Sequence, residues 1–246
     1  MQNFKLLLAP VLLGCYSSAY CQQMPVGHFD KVIISPRIQV TFIQGEREGV
    51  TFDSTAPHAR DVRVEVHGNT LRIYLKGAKE LEKTCITYEH GFREKRPVYQ
   101  GTLIRAVVTY RTLHTLSVRG DETQTIKSMV TARHFLLRVM GAAHILFDRV
   151  DLGSLHAVLY GSSTLDILSG SIGEERFTAY GESRINALSV NSATGRITAY
   201  GEADFSMNVS QEITISSFGT ARLRYRGAAQ INKGINIDGP RIMKLD

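Results

Sequence analysis

Cysteine is scarce, helix-type periodicity is missing, and past its first residues the chain is nowhere apolar for long. Each absence removes a class of protein. The 246 residues hold three cysteines, and only Cys85 lies clear of the N-terminal leader described below. An exported chain of this kind has no disulfide framework, so packing and backbone pairing must supply its stability. No stretch reaches the ~18 apolar residues of a transmembrane helix. The eight histidines (28, 58, 67, 90, 114, 134, 144 and 156) show neither HExxH nor the carboxylate spacing of a zinc or iron centre, so no metal and no cofactor is expected. "GSIG" at 170–173 fails the Gly-x-Ser-x-Gly spacing of a nucleophile elbow, and neither a phosphate loop nor a dinucleotide fingerprint occurs. Across 110–246 no window repeats apolar residues at i, i+3, i+4 and i+7, while β-branched residues are frequent, which excludes a helical architecture.

What is present begins with "MQNFKLLLAPVLLGCYSSAYCQQ", where Lys5 precedes a short apolar run over 6–14. This reads as an export signal spanning 1–21, and it directs the protein to the periplasm, outer membrane or cell surface. Two cleavage sites compete. "LLGC" resembles a lipobox that would leave Cys15 as a lipid anchor, whereas "AYC" before Gln22 suits an ordinary signal peptidase. Residues 1–21 carry Lys5 and no acid, so 28 basic residues then face 23 acidic ones. Much of that mild excess lies in 76–101, "KGAKELEKTCITYEHGFREKRPVYQG", which reads as a solvated, charged insertion. It lacks the continuous basic stripe that nucleic acid requires.

The main signal is a repeat. Aligned on glycine, the chain gives "LSVRGDETQTI" at Gly120, "LRVMGAAHILF" at Gly141, "AVLYGSSTLDI" at Gly161, "FTAYGESRINA" at Gly181, "ITAYGEADFSM" at Gly201, "ISSFGTARLRY" at Gly219 and "INIDGPRIMKL" at Gly239. The intervals are 21, 20, 20, 20, 18 and 20 residues. Positions four and two before each glycine are mostly apolar, from Leu116 and Val118 to Ile235 and Ile237, and the alternation resumes four and six after it, as in Ile185 and Ala187. Alternation of this kind marks strands with one buried face, and the glycine marks a bend between them. A unit of about 20 residues without helix is too short for a propeller blade and lacks the leucine-rich consensus, which leaves a parallel β-helix whose coils stack about 4.8 Å apart. Residues 26–246 are expected to form one such domain, with the less regular segments "FDKVIISPRIQVTFIQG" and "DVRVEVHGNTLRIYLKG" as earlier coils or a strand-rich cap.

Together these segments and the closing "RYRGAAQINKGINIDGPRIMK" resemble the auto-transporter adhesin head "GIN" domain family, exported proteins of Bacteroidetes. The resemblance covers roughly residues 26–244. It implies a right-handed β-helical head, an envelope or surface location and an adhesive role. The usual Ser-Gly-Ser turn of that family is "YGES" and "YGEA" here.

Stacking turns sequence positions into columns. The residue before each glycine should face outward, giving Arg119, Met140, Tyr160, Tyr180, Tyr200, Phe218 and Asp238. Met140, Tyr160, Tyr180, Tyr200 and Phe218 form the candidate binding strip, about 15 Å tall at the strand spacing. Such a strip either stacks sugars or captures a partner chain, or it only shields itself as a stabilising ladder. Three after the glycine, Arg184, Asp204 and Arg222 alternate in sign. Glu182 and Glu202 fall like on like about 5 Å apart, which raises a polysaccharide-active enzyme as the rival to a non-catalytic module binding a glycan, protein or matrix partner. A third reading is architectural, with the last coil near Ile242 and Leu245 stacking on another copy as a homo-oligomer.

Overall fold

The computed structural model describes residues 21–80, 84–89, 92–97, 99 and 101–246; the signal reading and the candidate anchor Cys15 lie outside the described residues. The architecture is all-β, a parallel β-helix of about six stacked turns. A 3-10 turn at Ala59–Asp61 is its one helical element among the described residues.

Strands β1 (Cys21–Pro25), β2 (Lys31–Ile34), β3 (Ile38–Gln44), β4 (Gly49–Asp53), β5 (Val62–His67), β6 (Thr70–Leu75), β7 (Thr84–Glu89), β8 (Phe92–Pro97) and β9 (Ile104–Tyr110) make up the N-terminal part. The coils follow as β10 (Thr115–Arg119), β11 (Gln124–Ile126), β12 (Val130–Met140), β13 (His144–Phe147), β14 (Val150–Tyr160), β15 (Thr164–Ile167), β16 (Gly170–Tyr180), β17 (Ser183–Tyr200), β18 (Ala203–Phe218), β19 (Ala221–Arg226), β20 (Gln230–Ile237) and β21 (Arg241–Lys244). Parallel pairing joins each residue to its repeat equivalent, as in Ala157↔Phe177↔Ile197↔Ile215 and Leu165↔Ile185↔Phe205↔Leu223. These inward columns are fully buried and belong to one core running from Phe29 to Ala229. The period therefore decides the packing, because every side chain meets its own counterpart one coil away.

Gly141 shows why the bend needs glycine. Its φ is 129°, and a Cβ there would lie 2.3 Å from the Gly120 carbonyl oxygen of the coil above. Only a residue without a side chain lets successive corners approach this closely.

The upstream segments resolve into a first coil and a cap. Strands β2 and β3 pair in parallel with β10 and β11 and so begin the β-helix. Over them lie β6 and β9, which are parallel to β2 and β3 but antiparallel to β5 and β4, and β1 adds antiparallel to β4. Within the charged insertion at 76–101, β7 and β8 pair along six residues each as an antiparallel hairpin. Hairpin pairing satisfies backbone groups that a loop would leave to water, and "TCITY" supplies the β-branched and aromatic residues that favour it.

The last repeat also departs from expectation. Ile235 and Ile237 were placed inward by the repeat phase, yet they are 71% and 58% exposed. The cause is a slip between Ile215 and Ser217 in the β18–β20 ladder, which pairs Phe218 with Ile237. A one-residue slip moves side chains to the opposite face. Ile237 thus takes the outward place assigned to Asp238.

Candidate binding face

The corner around each glycine carries the candidate residues, and local chemistry fixes it. Glycine N–H groups donate across coils, from Gly161 to the Tyr180 carbonyl and from Gly181 to the Tyr200 carbonyl, both at 2.8 Å. Ser163 and Ser183, two residues past the glycine, donate their hydroxyls to the carbonyls of Gly141 and Gly161 at 2.9 and 3.2 Å. With the corners locked in this way, the residues on either side stand in vertical register.

Before the glycine, the aromatic side chains form one stack. Ring centroids lie 4.7 Å apart for Tyr160–Tyr180, 4.8 Å for Tyr180–Tyr200 and 4.9 Å for Tyr200–Phe218, with interplanar angles of 3°, 3° and 7°. Met140 pairs above Tyr160 and Ile237 below Phe218. The three tyrosines and Met140 remain 37–41% exposed. Ring faces turn toward neighbouring rings, so solvent meets a ridge of edges and phenol hydroxyls. A sugar could stack on a face only by opening the ladder, and each stacked pair resists that by about 0.5–1.5 kcal/mol.

After the glycine the outward columns are polar and partly self-satisfied. Arg222 donates through Nε and Nη2 to the two oxygens of Asp204, the latter at 3.0 Å. This hydrogen bonding holds the Asp204 carboxyl below the usual range, assisted by the charges of Arg222, Arg184 and Arg224. A second outward ladder places His144 Nε2 2.7 Å from Asp166 Oδ2, while Asn186 Nδ2 donates to Asp166 Oδ1 at 3.1 Å. Glu182 and Glu202 are brought together in a hollow of about 260 Å³ that also includes Ser163, Arg184, Asp204 and Arg222. Both glutamates are exposed on the turn. Among the described residues, no group of three His, Cys, Asp or Glu side chains could hold a metal.

Two features escaped the sequence reading. Glu175 is fully buried in the column Phe135↔Leu155↔Glu175↔Gly195↔Ile213, and neither carboxyl oxygen has a hydrogen-bond partner. Burial pushes its pKa up to about 8. The signal was available: the position six before each repeat glycine is apolar in three of the other coils, so a glutamate there faces inward. The second feature is charge. Residues 219–246 hold six basic and two acidic side chains, against six and four in 76–101. The larger excess therefore sits in the last coils and not in the insertion.

Comparison with known proteins supports the architecture. The family model described as "Putative auto-transporter adhesin, head GIN domain" matches residues 28–229. A "putative adhesin" of Bacteroides fragilis has a similar structure, with 15% identity, a TM-score of 0.72, and coverage of 92% of this chain and 96% of that one. A "putative adhesin" of Parabacteroides merdae matches at 14% identity and a TM-score of 0.61, over 92% and 95% of the two chains. A "putative lipid binding protein" of Parabacteroides distasonis matches at 17% identity and the same TM-score of 0.61, over 92% and 96%. No curated protein matches the sequence. At these identities the solved structures establish a shared fold, while the family model covers most of the chain. The chain belongs to the auto-transporter adhesin head GIN domain family.

Proposed function

We propose that this protein is a non-catalytic, adhesin-like module, exported to the envelope or cell surface, that holds a glycan, protein or matrix partner against the ridge of Met140, Tyr160, Tyr180, Tyr200 and Phe218. The observation that carries the reading is the ridge itself: five side chains in unbroken vertical register, half-open to solvent, on a scaffold whose corners are locked by backbone hydrogen bonds. Tyrosine edges and hydroxyls offer apolar contact and hydrogen bonding at small entropic cost, and stacking removes most of what remains. Family membership and the structural neighbours described as adhesins support the binding role. The rival enzyme reading of Glu182 and Glu202 has less support, since both lie exposed beside Arg184.

The test is a glycan array and a pulldown with the exported chain, followed by two double variants. Tyr180→Ala with Tyr200→Ala removes three ring contacts and is expected to abolish partner capture. Tyr180→Phe with Tyr200→Phe keeps the stack and deletes two hydroxyls, so the melting temperature holds while capture weakens. If the alanine pair melts earlier and still captures its partner at full strength, the ridge serves stability alone.

A further inference from the structure

Four guanidinium groups and one carboxylate converge below the corner just described. Arg184, Asp204, Arg222, Arg224 and Arg241, with Ile242 and Met243, line an open basin of about 660 Å³. The register Arg184↔Asp204↔Arg222↔Arg241 sets four charges in one column, with Arg224 beside them over Met243. Asp204 is taken by Arg222. Arg184 and Arg224 act on Asp204 only at longer range, and neither they nor Arg241 form a side-chain hydrogen bond or ion pair among the described residues. Arg222 also stands directly over Arg241, a like-charge pairing that destabilises adjacent strands. Elsewhere this outer face neutralises itself, as the His144–Asp166–Asn186 ladder shows. Here four guanidiniums face the one carboxylate of the basin, with Glu182 and Glu202 in the adjoining hollow, and residues 219–246 carry four of the chain's six net positive charges.

We infer that this basin binds an acidic glycan, with carboxylate or sulfate groups seated on Arg184, Arg224 and Arg241 and sugar C–H faces against Ile242 and Met243. Guanidinium forks match both oxyanions in bidentate geometry. The arginine column runs along the solenoid axis for about 14 Å, three strand spacings, so it meets a linear polyanion lengthwise where a single ion would fill one fork. Met243 is 60% exposed and Ile242 half-buried, which gives the basin an apolar wall. The site lies apart from the aromatic ridge and stands if the ridge binds nothing.

The full chain is titrated with heparin and polygalacturonate, with dextran as the neutral control, at low and high salt. Inorganic sulfate and phosphatidylglycerol vesicles are run as separate arms. The acidic polymers should bind and dextran should not, with affinity falling as salt screens the charges. Arg224→Gln with Arg241→Gln should weaken polymer binding at least tenfold without lowering the melting temperature, since it relieves repulsion. Arg105→Gln with Arg133→Gln, two exposed arginines outside the basin, makes the same change in net charge and should leave affinity within twofold. The inference fails if both pairs lose affinity equally, if the basin pair loses none, if sulfate binds as tightly as the polymers, or if vesicles bind and the polymers do not. The Tyr180 and Tyr200 variants should retain polymer binding, which separates this site from the ridge.

Discussion

The coils from Val130 to Phe218 and the coil that follows are written in the same repeat, yet they behave differently. In the former, register is nearly continuous, inner columns are closed, and most outer positions satisfy themselves through ring stacks and a His–Asp–Asn ladder, Arg184 excepted. In the latter, the ladder slips between Ile215 and Ser217, Ile235 and Ile237 face solvent, and Arg224 and Arg241 stand without an ion pair among the described residues. The contrast separates two kinds of position. Inner columns and corners are held by close packing, where one misfit displaces a whole coil. Outer columns are bounded only by solvent and by the strand above, so their chemistry can change while the fold does not.

The sharpest way to break this comparison is at the corners. Gly141→Ala forces a Cβ onto a backbone oxygen at φ 129° and should cost about 2–5 kcal/mol, read as a lowered urea midpoint. Gly239→Ala, at φ 68° with nothing within 4 Å, should cost about 1–2 kcal/mol. Equal losses at the two sites would mean that stacking does not constrain the corners.

A smaller effect is expected from Glu175, a carboxylate with no exposure to solvent. Its folded pKa of about 8 exceeds the unfolded value of 4.5, so between those pH values the folded state holds more protons. Stability from this group is complete below about pH 4.5 and is lost as pH rises through about 8. Melting curves should therefore show Glu175→Gln gaining on the wild type steadily from pH 5 to pH 9. A constant difference would mean that the carboxyl is not shielded. Least of all, Asp204→Asn should give a small loss of stability that shrinks in high salt, because it removes a surface ion pair.

Much of the fold was legible before coordinates because the period of about 20 residues is visible in single letters, and a glycine marks every turn. Tyr160, Tyr180 and Tyr200 could be predicted to stack because equal spacing and parallel pairing leave no other arrangement. Glu175 was missed for a local reason: in "GEERF" the alternation is obscured by neighbouring charges, and only the column identifies its direction. The hairpin of β7 and β8 was hidden by its charge, since cross-strand backbone pairing is indifferent to side-chain polarity.

By itself, the sequence determined the β-helix, its period, its glycine corners and which side chains face in, because those follow from alternation and steric exclusion within one repeat. The tertiary structure alone decided the slip that turns Ile237 outward and the placing of Arg224 and Arg241 beside the Arg184–Asp204–Arg222 column. Each of these depends on how one coil registers on the next, a choice settled by the summed packing of whole strands that no single repeat contains.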